Sequence, residues 1–502
     1  MTKRFLTIEE QDFLDPTGEA RRKLAGYKVG PPTPTPGPLA HLSREQWLQH
    51  ARSIRNSLKG KRWSPYIEWD ETFEKKYGGQ GDTFPLSELE QSYETSYSRA
   101  TRSVRFKLAR IGRDFLLSKL RSIVQQYGYP SPIPAYHGTI GTLASLPTMA
   151  KKGTFLAETV GMSPWRHVIP ELPGQRSQRL NHRCINMGPN PNVRYIEEPL
   201  ARVRNYLRDH IPWFASWLRP DISEQPQIAA ALAKSNWSLG SFDYSHCDES
   251  FGLEIATEIV APIYELLLDK MEYVRVFSFV EELFYQPIFM GNYMLEGKHN
   301  LLSGEVITND FETIYDVCVA VGVLLINGVQ PESALILANG DDVLISTSQS
   351  VMHNVIHDYI SEATLNGMEM KTEKCSLTSG YCMYLKRYYI PGYDGYNADG
   401  RPYRRGAYPL TLTYNSIVNP ERHAHSYSEL VAATMQRTDN LYGSPVFSPV
   451  VGDIFARWRQ QLPSKADIEA SAPSDWWSRL YGTSWTVETS PTYHTLKALR
   501  LV

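Results

Sequence analysis

The segment 334–347 constrains the fold most, because two apolar runs there flank the tetrapeptide Asn339-Gly340-Asp341-Asp342. Short apolar runs separated by Asn, Gly and Asp are typical of a β-hairpin with a tight turn. That turn would present two adjacent carboxylates, Asp341 and Asp342. A second segment, 237–243, has the pattern of a strand that ends on another carboxylate, Asp243. If the two strands are neighbours, Asp243 and Asp341 converge.

Two converging carboxylates predict a cation site. Carboxylates at that distance repel each other unless positive charge lies between them. Oxygen ligands that leave positions open for phosphate favour Mg²⁺ or Mn²⁺. The pattern therefore predicts a two-metal site for phosphoryl transfer, in which one ion activates an attacking oxygen and the other stabilises the leaving one. A Gly-Asp-Asp tripeptide on its own is more often an ordinary surface turn, so the neighbouring segments decide between the two interpretations.

Composition limits the class of protein. The chain has 502 residues, 42% hydrophobic and 21% charged, with 52 Lys+Arg against 54 Asp+Glu, so its net charge is −2. These values are typical of a folded chain with several substructures and exclude a disordered or collagen-like one.

The longest uncharged apolar stretch, 317–326, is too short to span a membrane. Acidic residues near the N-terminus replace the apolar block of a secretory signal, so we expect an intracellular chain. The five cysteines are odd in number and lack Cys-x-x-Cys spacing, and we expect all of them to be reduced.

Positive charge is concentrated in two stretches. Residues 99–121 contain eight Lys and Arg against one acid, which fits either a solvated helix face or the wall of an RNA path. Residues 166–208 contain eight arginines, no lysine and three acids. Arg176, Arg179 and Arg183 lie at the centre of this second stretch. The planar guanidinium fork suits phosphate oxygens, so these three residues suggest a polyphosphate contact.

The periodicity of apolar residues predicts the other elements. Helices are expected at 43–58, 86–124, 249–271, 305–326 and 351–365, β-like segments at 277–294, a strand at 383–390, and mostly helices from 409 to 477. Ser303 and Gly304 open the buried helix at 305–326, and Thr308 and Asn309 follow one turn in. A Ser-Gly pair before a helix is often only a cap, but glycine also allows close approach of the backbone to a ligand. After the hairpin come Lys371, Lys374 and the tetrapeptide at 384–387.

In this order, the segments resemble the motifs of the viral RNA-dependent RNA polymerases. The sequence DYSHCDES from Asp243 resembles motif A, SGEVITN from Ser303 motif B, and NGDD from Asn339 motif C. The segment through Lys374 resembles motif D, YLKR from Tyr384 motif E, and the arginine segment ending in Arg183-Cys184-Ile185 motif F. The chain length and the Thr308-Asn309 pair in motif B are most similar to those of the polymerases of small double-stranded RNA viruses, the partitivirus and picobirnavirus group.

The resemblance implies an α+β fold shaped as a right hand of fingers, palm and thumb. The palm carries an antiparallel sheet, and an N-terminal arm closes the hand. The implied boundaries are 1–90 for the arm, 91–235 for the fingers with a further insertion at about 255–300, 236–390 for the palm and 391–502 for the thumb and C-terminal region. The implied activity is template-directed RNA synthesis, which makes the chain the replicase and transcriptase of an RNA virus.

The resemblance also implies roles for individual residues. Asp243 and Asp341 would bind Mg²⁺, or Mn²⁺, with Asp342 as a nearby helper. Lys374 would protonate or screen the departing pyrophosphate, with Lys371 as the reserve candidate. The triphosphate would contact the basic segment, the ribose would contact motif A and motif B, and the primer strand would contact motif E. The residues implied for the triphosphate contact are Arg176, Arg179 and Arg183. Those implied for the ribose contact are Asp248, Ser303, Gly304, Thr308 and Asn309, and those implied for the primer contact are Lys386 and Arg387.

The pattern for ribose reading departs from many positive-strand relatives. Those relatives carry Asn four residues after the motif B Thr, whereas this chain has Glu312 there and Asn309 directly after Thr308. On the sequence alone, either Asn309 or Glu312 could contact the ribose 2′-hydroxyl.

The expected partners are single-stranded and double-stranded RNA, nucleoside triphosphates and a viral capsid protein, and the expected location is the virion interior or the host cytoplasm. One alternative is a reverse transcriptase, but those enzymes usually carry an aromatic and a variable residue before the two Asp, where this chain has Asn339-Gly340. Another is a non-catalytic RNA-binding or capsid-associated protein with a degenerate palm. Such a protein would have no chemical need for Asp243, Asp341 and Lys374.

Overall fold

A computed structural model of the chain provides the fold. It describes residues 1–25, 42–76, 85–133, 145, 146, 149, 169–178, 181–188, 190–215, 225–370, 375–391, 395, 396, 402, 403, 406–419, 426–442, 444–456, 462–464, 466, 467, 498 and 499. Within those residues, no helix is both long enough and apolar enough to cross a membrane.

The centre of the molecule is a four-stranded antiparallel sheet in which the strands at 335–339 (β7), 342–348 (β8), 237–243 (β4) and 376–378 (β9) are neighbours in that order. Strands β7 (Leu335–Asn339) and β8 (Asp342–Ser348) form the predicted hairpin, and β4 (Trp237–Asp243) pairs with β8 along its whole length. The outer strand β9 (Ser376–Thr378) pairs with the other edge of β4. This register brings the end of β4 and the tip of the hairpin to the same edge of the sheet.

Three long helices form the core next to this sheet. They are α6 (Leu108–Tyr127), α13 (Thr308–Ile326) and α14 (Gln349–Leu365). Helix α13 is almost entirely buried, and its apolar side chains belong to the largest hydrophobic cluster of the described residues. The Glu362 carboxylate on α14 accepts three backbone N–H groups at the start of α6, from Lys107, Leu108 and Ala109, at 2.8, 2.8 and 3.0 Å. It therefore caps a helix that is distant in sequence.

The fingers side combines helices with two small sheets. Strand β1 (Thr2–Phe5) pairs with β6 (Tyr293–Glu296), which also pairs with β5 (Ile288–Phe289). Strands β2 (Leu172–Gln178) and β3 (Asn181–Met187) form an antiparallel hairpin. Further helices, from the N-terminal segment through motif A to the 255–300 segment, are α1 (Ile8–Leu14), α2 (Glu19–Leu24), α5 (Leu86–Arg99), α7 (Asn190–His210), α8 (Gln225–Leu232), α9 (Cys247–Ser250), α10 (Leu253–Ile255), α11 (Ala261–Leu267) and α12 (Lys270–Leu283).

A separate hydrophobic cluster joins the N-terminal segment to the C-terminal helices. Helices α15 (Leu410–Val418), α16 (Tyr427–Asp439) and α17 (Phe447–Ala456) pack there with α3 (Arg44–Asn56) through Trp47, Leu48 and Ala51. Helix α4 (Ser64–Thr72) contacts the start of α15 beside this cluster, since the Tyr66 hydroxyl accepts the amide N–H of Leu410 and the Asp70 carboxylate accepts that of Thr411. The first 24 residues instead pack with α5, β2, β5 and β6. The N-terminal segment therefore contacts both sides of the hand.

Several predicted elements have different bounds. The expected helix at 86–124 is two helices, α5 and α6, because residues 100–107 are not helical. The expected helix at 249–271 breaks at Phe251-Gly252, continues through a π-helical turn, Ala256–Val260, and ends at Leu267. The β-like prediction at 277–294 is wrong for 277–283, which belong to α12, whereas β5 and β6 lie in its second half. The expected strand at 383–390 is a hairpin of β10 (Cys382–Tyr384) and β11 (Arg387–Tyr389). Two short strands, β12 (Gly395–Tyr396) and β13 (Pro402–Tyr403), follow it.

Most of the described basic residues of α6 have carboxylate partners. Arg110 pairs with Glu258, Arg113 with Asp114 and Lys119 with Glu332. This pairing favours the solvated-face interpretation of that helix over an RNA path. All five cysteines are free thiols, as expected.

Candidate active site

Three carboxylates meet at the edge of the central sheet. Asp243, the last residue of β4, lies directly opposite Asp342, the first residue of β8. Residues directly opposite in an antiparallel pair have Cβ atoms about 4.5–5.5 Å apart, and like charges placed there repel each other. Asp341 precedes Asp342 in the tight turn, where Gly340 has a φ of 58°. All three aspartates are partly exposed, so the cluster is open to solvent.

Side chains of helix α13 hydrogen-bond to this turn and stabilise it. The Thr313 hydroxyl accepts the amide N–H of Gly340 at 2.8 Å and donates to the carbonyl of Asn309 at 2.6 Å. The Asn309 amide donates to Oδ1 of Asn339 at 3.2 Å. A Cβ on Gly340 would lie 2.8 Å from the Asn309 amide nitrogen, so only glycine fits here without displacing that side chain. Motif B and motif C are thus one hydrogen-bonded unit.

A second group of acids lies behind the first. Asp248 sits on α9 and Glu312 on α13, and both side chains are buried. Burial raises the pKa of Glu312 well above its ordinary value, and the charges of Asp248 and Asp341 raise it further, while a hydrogen bond with Cys247 opposes the change. Glu312 is therefore close to the carboxylates of both motif A and motif C.

A buried network supports the strand that ends at Asp243. The hydroxyls of Tyr244 and Tyr359 donate to Oδ1 of Asp316 at 2.6 and 2.8 Å, and the two hydroxyls are 3.0 Å apart. Asp316 lies on α13 and Tyr359 on α14. Burial raises the pKa of Asp316 well above its ordinary value, although the two tyrosine hydrogen bonds oppose this shift. The network ties the residue after Asp243 to both helices under the sheet.

The motif B loop contacts the basic hairpin. The backbone N–H of Asn186 on β3 donates to the backbone carbonyl of Ser303 at 2.6 Å. The Thr308 hydroxyl donates to the carbonyl of Leu302 at 3.1 Å and so stabilises the same loop. From α5, the Tyr93 hydroxyl donates to the Asn186 side chain at 2.6 Å. The hairpin is therefore held against the palm by both motif B and α5.

The predicted triphosphate contacts lie on that hairpin. Arg176 on β2 is the register partner of Arg183 on β3, which places the two backbones side by side. Arg179 lies outside the described residues, as do Lys371 and Lys374 of motif D.

Motif E forms a two-residue hairpin whose tip residues both have positive φ, 48° for Leu385 and 56° for Lys386. A turn with this geometry normally carries Asn or Gly, so these residues store backbone strain. Lys386 is exposed at the tip. Arg387 instead donates to the carbonyls of Gly406 and Asn440, at 3.0 and 3.3 Å. Arg387 therefore fastens the hairpin to the thumb helices.

Several residues around the site were not predicted from the sequence. They are Tyr93, Asn186, Thr313, Asp316 and Tyr359. Thr313 had a detectable signal, since it lies four residues after Asn309 and so on the same face of the helix. The others come from elements that are distant in sequence, and no motif spacing indicates them.

Comparisons with known proteins agree with this geometry. Residues 218–401 match the family model described as viral RNA-dependent RNA polymerase. The fold is similar to the crystal structure of the RNA-dependent RNA polymerase of a human picobirnavirus, with a TM-score of 0.73, 14% identity and 99% of each chain covered. The insertion loop deletion mutant of that polymerase gives a TM-score of 0.72 at 15% identity, covering 99% of this chain and 100% of the other. No curated protein matches the sequence.

These findings confirm the predicted family resemblance and the α+β right-hand fold, and they support neither alternative function. Viral polymerases of this kind generally use divalent metal ions and bind RNA and nucleoside triphosphates. Residues 218–401, which carry motifs A, B and C, match the viral RNA-dependent RNA polymerase family, and the fold is similar along the whole length, so the activity of the chain is that of an RNA-dependent RNA polymerase.

Proposed function

We propose that this polymerase transfers nucleotides by a two-metal mechanism, with Asp243 and Asp341 as metal ligands and Asp342 as a helper. The observation that carries the proposal is the placement of Asp243 opposite Asp342, with Asp341 in the adjoining turn. The donor set fits Mg²⁺, or Mn²⁺, because it consists of carboxylate oxygens at a strand end and in the adjoining turn.

In the proposed site the protein would supply Asp243 and Asp341 as ligands. Among the described residues, no group of three or more His, Cys, Asp and Glu side chains could enclose a metal ion. Mg²⁺ at phosphoryl-transfer sites is usually bound by one or two carboxylates, and substrate phosphates and water complete its coordination. When bound, the ions would supply charge stabilisation for the attacking and leaving oxygens.

The chain's own residues would mainly position the reactants. The 3′-hydroxyl of the RNA attacks the α-phosphate of the nucleoside triphosphate and releases pyrophosphate. Arg176, Arg179 and Arg183 would hold the triphosphate on the basic hairpin, and Lys374, or Lys371, would give a proton to the departing pyrophosphate. Lys386 would contact the primer strand from the tip of the motif E hairpin, while Arg387 holds that hairpin in place. Most of the acceleration would come from alignment and charge stabilisation.

For selection of ribose, we propose Asp248 and Glu312 as the main polar groups, with Ser303, Gly304 and Thr308 shaping the loop above them. The Asn309 amide is already hydrogen-bonded to Asn339, whereas Glu312 lies near Asp248. A comparison of kcat/KM for CTP and dCTP tests this choice. Glu312→Gln should change the ratio more than Asn309→Ala does, and the reverse order would assign the role to Asn309.

The proposed division of the chain follows the predicted boundaries: arm 1–90, fingers 91–235 with an insertion at about 255–300, palm 236–390 and thumb 391–502. Packing of α3 against α15–α17, and the hydrogen bonds from α15 to Tyr66 and Asp70 of α4, support the bridging role of the arm. The proposed location is the virion interior or the host cytoplasm, and the proposed partner is a viral capsid protein. Both rest on the resemblance to double-stranded RNA virus polymerases, and co-sedimentation of the chain with capsid particles would test them.

The mechanism is tested with the purified chain, a single-stranded RNA template, Mg²⁺ or Mn²⁺, and labelled ribonucleotides or deoxyribonucleotides. We expect ribonucleotide incorporation that is lost in Asp243→Ala and Asp341→Ala. Titration of Mn²⁺ into the protein alone should show weaker binding in both variants, which gives a readout independent of turnover. The control is Asp114→Ala, which removes an exposed carboxylate from α6. Incorporation that persists in Asp341→Ala would refute the metal assignment, and preferential use of deoxyribonucleotides would favour reverse transcription.

A further inference from the structure

Helix α5 lies outside the segment that matches the polymerase family, yet one of its faces contacts the palm through polar side chains. Ser92, Ser96 and Arg99 lie on this face, since their spacings of four and three residues repeat along a helix. The Ser92 hydroxyl donates to Glu249 at 3.2 Å, and the Ser96 hydroxyl accepts the amide N–H of Asn300 at 3.3 Å. Glu249 belongs to motif A, and Asn300 precedes the motif B loop.

Arg99 makes the strongest of these contacts, because its guanidinium bridges two carboxylates. Nη1 lies 3.2 Å from Glu249 and Nη2 lies 2.5 Å from Glu369. The Arg99 side chain is only 9% exposed. A guanidinium presents several donors in one plane and can hold two carboxylates at once, which a lysine ammonium does less well.

The two carboxylates come from different catalytic motifs. Glu249 directly follows Asp248 on α9, and His246 also pairs with it, at 3.3 Å. Glu369 stands just before the segment that contains Lys371 and Lys374. The backbone joins the same two segments, since the amide of Ser245 donates to the carbonyl of Glu369 at 2.9 Å. Arg99 therefore lies where the motif A loop meets the beginning of motif D.

We infer that Arg99 is a positioning residue that holds the motif A loop and the motif D segment in one arrangement for nucleotide addition. Without the guanidinium, Glu249 and Glu369 would face each other as like charges and repel. Repulsion would move Asp248 away from the ribose and shift the segment that carries the proposed proton donor. The inference rests on the roles proposed above for Asp248 and motif D, and it adds a fingers residue that couples them.

The test measures kcat and KM for CTP on a primed template, together with the ratio of kcat/KM for CTP to that for dCTP. The thermal unfolding temperature of each variant is measured as well. The variants are Arg99→Gln, Arg99→Lys, Glu369→Gln and the double variant of Arg99→Gln with Glu369→Gln. Glu369→Gln is the mildest, because Glu369 is 38% exposed and Arg99 keeps its pair with Glu249. The control is Arg110→Gln, which breaks an exposed ion pair with Glu258 on the fingers surface.

We expect Arg99→Gln to lower kcat by about tenfold and Glu369→Gln to lower it by a smaller factor, with KM for CTP within about twofold of its original value, because a misplaced group affects the transition state more than ground-state binding. Arg99→Lys should fall between Arg99→Gln and the original enzyme. The CTP to dCTP ratio should decrease in both glutamine variants. The double variant should be no slower than Arg99→Gln alone, since both changes remove the same link. Arg110→Gln should leave kcat and the ratio unchanged.

The inference would be overturned if Glu369→Gln had the original kcat and nucleotide ratio, or if the two losses multiplied in the double variant. A variant that only unfolds at lower temperature, with unchanged kcat and ratio, would equally show a merely structural role. Failure of the proposed function looks different, because incorporation would then persist in Asp341→Ala. If Asp248→Ala leaves the CTP to dCTP ratio unchanged, the assignment of Asp248 to ribose selection fails. The kcat values of the single and double variants of Arg99 and Glu369 then still decide the role of Arg99.

Discussion

At Gly304 the backbone of the motif B loop has a φ of 96°, and a Cβ there would lie 2.8 Å from the carbonyl oxygen of Asn186. Because that oxygen belongs to β3 of the basic hairpin, Gly304→Ala must push the loop away from the hairpin. We expect kcat/KM for nucleotide addition to fall by about tenfold or more, since the groups that hold triphosphate and ribose would separate. Steady-state kinetics on a primed template would measure the loss.

Gly328→Ala is the matched control for that substitution. Gly328 also has a positive φ, 73°, but no atom lies within 4 Å of the position of its Cβ. Both alanines pay the cost of a left-handed backbone, about 1–2 kcal/mol. Only Gly304→Ala should also lose activity. Equal activity in the two variants would show that contact between the loop and the hairpin is unnecessary for catalysis.

The residues of the site differ in how far the sequence predicts them. Asp243, Asp341 and Asp342 are predictable because Asp243 ends a strand with a clear apolar pattern, Asp342 begins another, and Asp341 lies in the tight turn before it. Arg99 is not, because a basic residue in a basic run is indistinguishable from its solvated neighbours. Its partners, Glu249 and Glu369, are respectively 150 and 270 residues away in sequence. Long-range ion pairs of this kind depend on tertiary packing, which no local pattern specifies.

At the scale of elements, α6 and α13 cross at two glycines. A Cβ on Gly112 would lie 1.8 Å from the carbonyl oxygen of Cys318, and one on Gly322 would lie 2.0 Å from that of Leu108. Both obstacles are backbone atoms, which a side-chain rotation cannot relieve. Gly322→Ala should therefore force the helices apart and lower the free energy of unfolding by about 3 kcal/mol or more. Chemical denaturation monitored by circular dichroism would measure the change.

A helical glycine without neighbours provides the comparison. Gly452 lies on α17, and no atom is within 4 Å of the position of its Cβ. Alanine is the better helix former, so Gly452→Ala should stabilise the protein by up to about 1 kcal/mol. If Gly322→Ala were also neutral or stabilising, the close approach of α6 and α13 would be incorrect.

Elements with one strong period are predicted well, and elements shaped by their neighbours are not. Strand β4 and the β7–β8 hairpin have the expected bounds, and α13 begins only three residues after its expected start. Residues 270–283 form a helix although Phe277, Phe279 and Val280 suggest a strand. All three side chains are buried, so the tertiary environment determines the conformation there more than β propensity does. The break at Phe251-Gly252 likewise follows from tertiary contacts, since the Leu301 amide donates to the Phe251 carbonyl.

For the whole molecule, the sequence has a net charge of −2, which by itself argues mildly against RNA as a partner. The structure changes the interpretation of the two basic stretches. On α6 the positive charges are largely neutralised by ion pairs, whereas Arg176 and Arg183 lie on a hairpin that touches the motif B loop. The backbone positions of Arg176 and Arg183 therefore lie closer to the motif B loop than the paired charges of α6 suggest for that helix, which agrees with the proposed triphosphate contact. Net charge could not reveal this distribution.

The N-terminal segment joins the two sides of the hand, and hydrogen bonds to a buried carboxylate fix it to the thumb. The Asp70 carboxylate on α4 accepts the amide and the hydroxyl of Thr411 on α15, at 3.0 and 2.8 Å, and pairs with Arg55 at 3.2 Å. Asp70→Asn should lower the free energy of unfolding by about 2–3 kcal/mol, somewhat below the usual cost of a broken buried pair, because Arg55 keeps its pair with Glu74.

The same substitution should shorten the RNA products. If the segment holds the thumb against the rest of the hand, loosening it lets the template and product dissociate sooner, while addition of a single nucleotide keeps its rate because no site residue has moved. Product lengths from a primed run-off reaction with a heparin trap would show the change beside single-turnover kinetics. Glu71→Gln is the control, since Glu71 also pairs with Arg55 but is 51% exposed, and its removal should change stability by no more than about 0.5 kcal/mol. Long products from a destabilised Asp70→Asn enzyme would mean that closure of the hand does not depend on this contact.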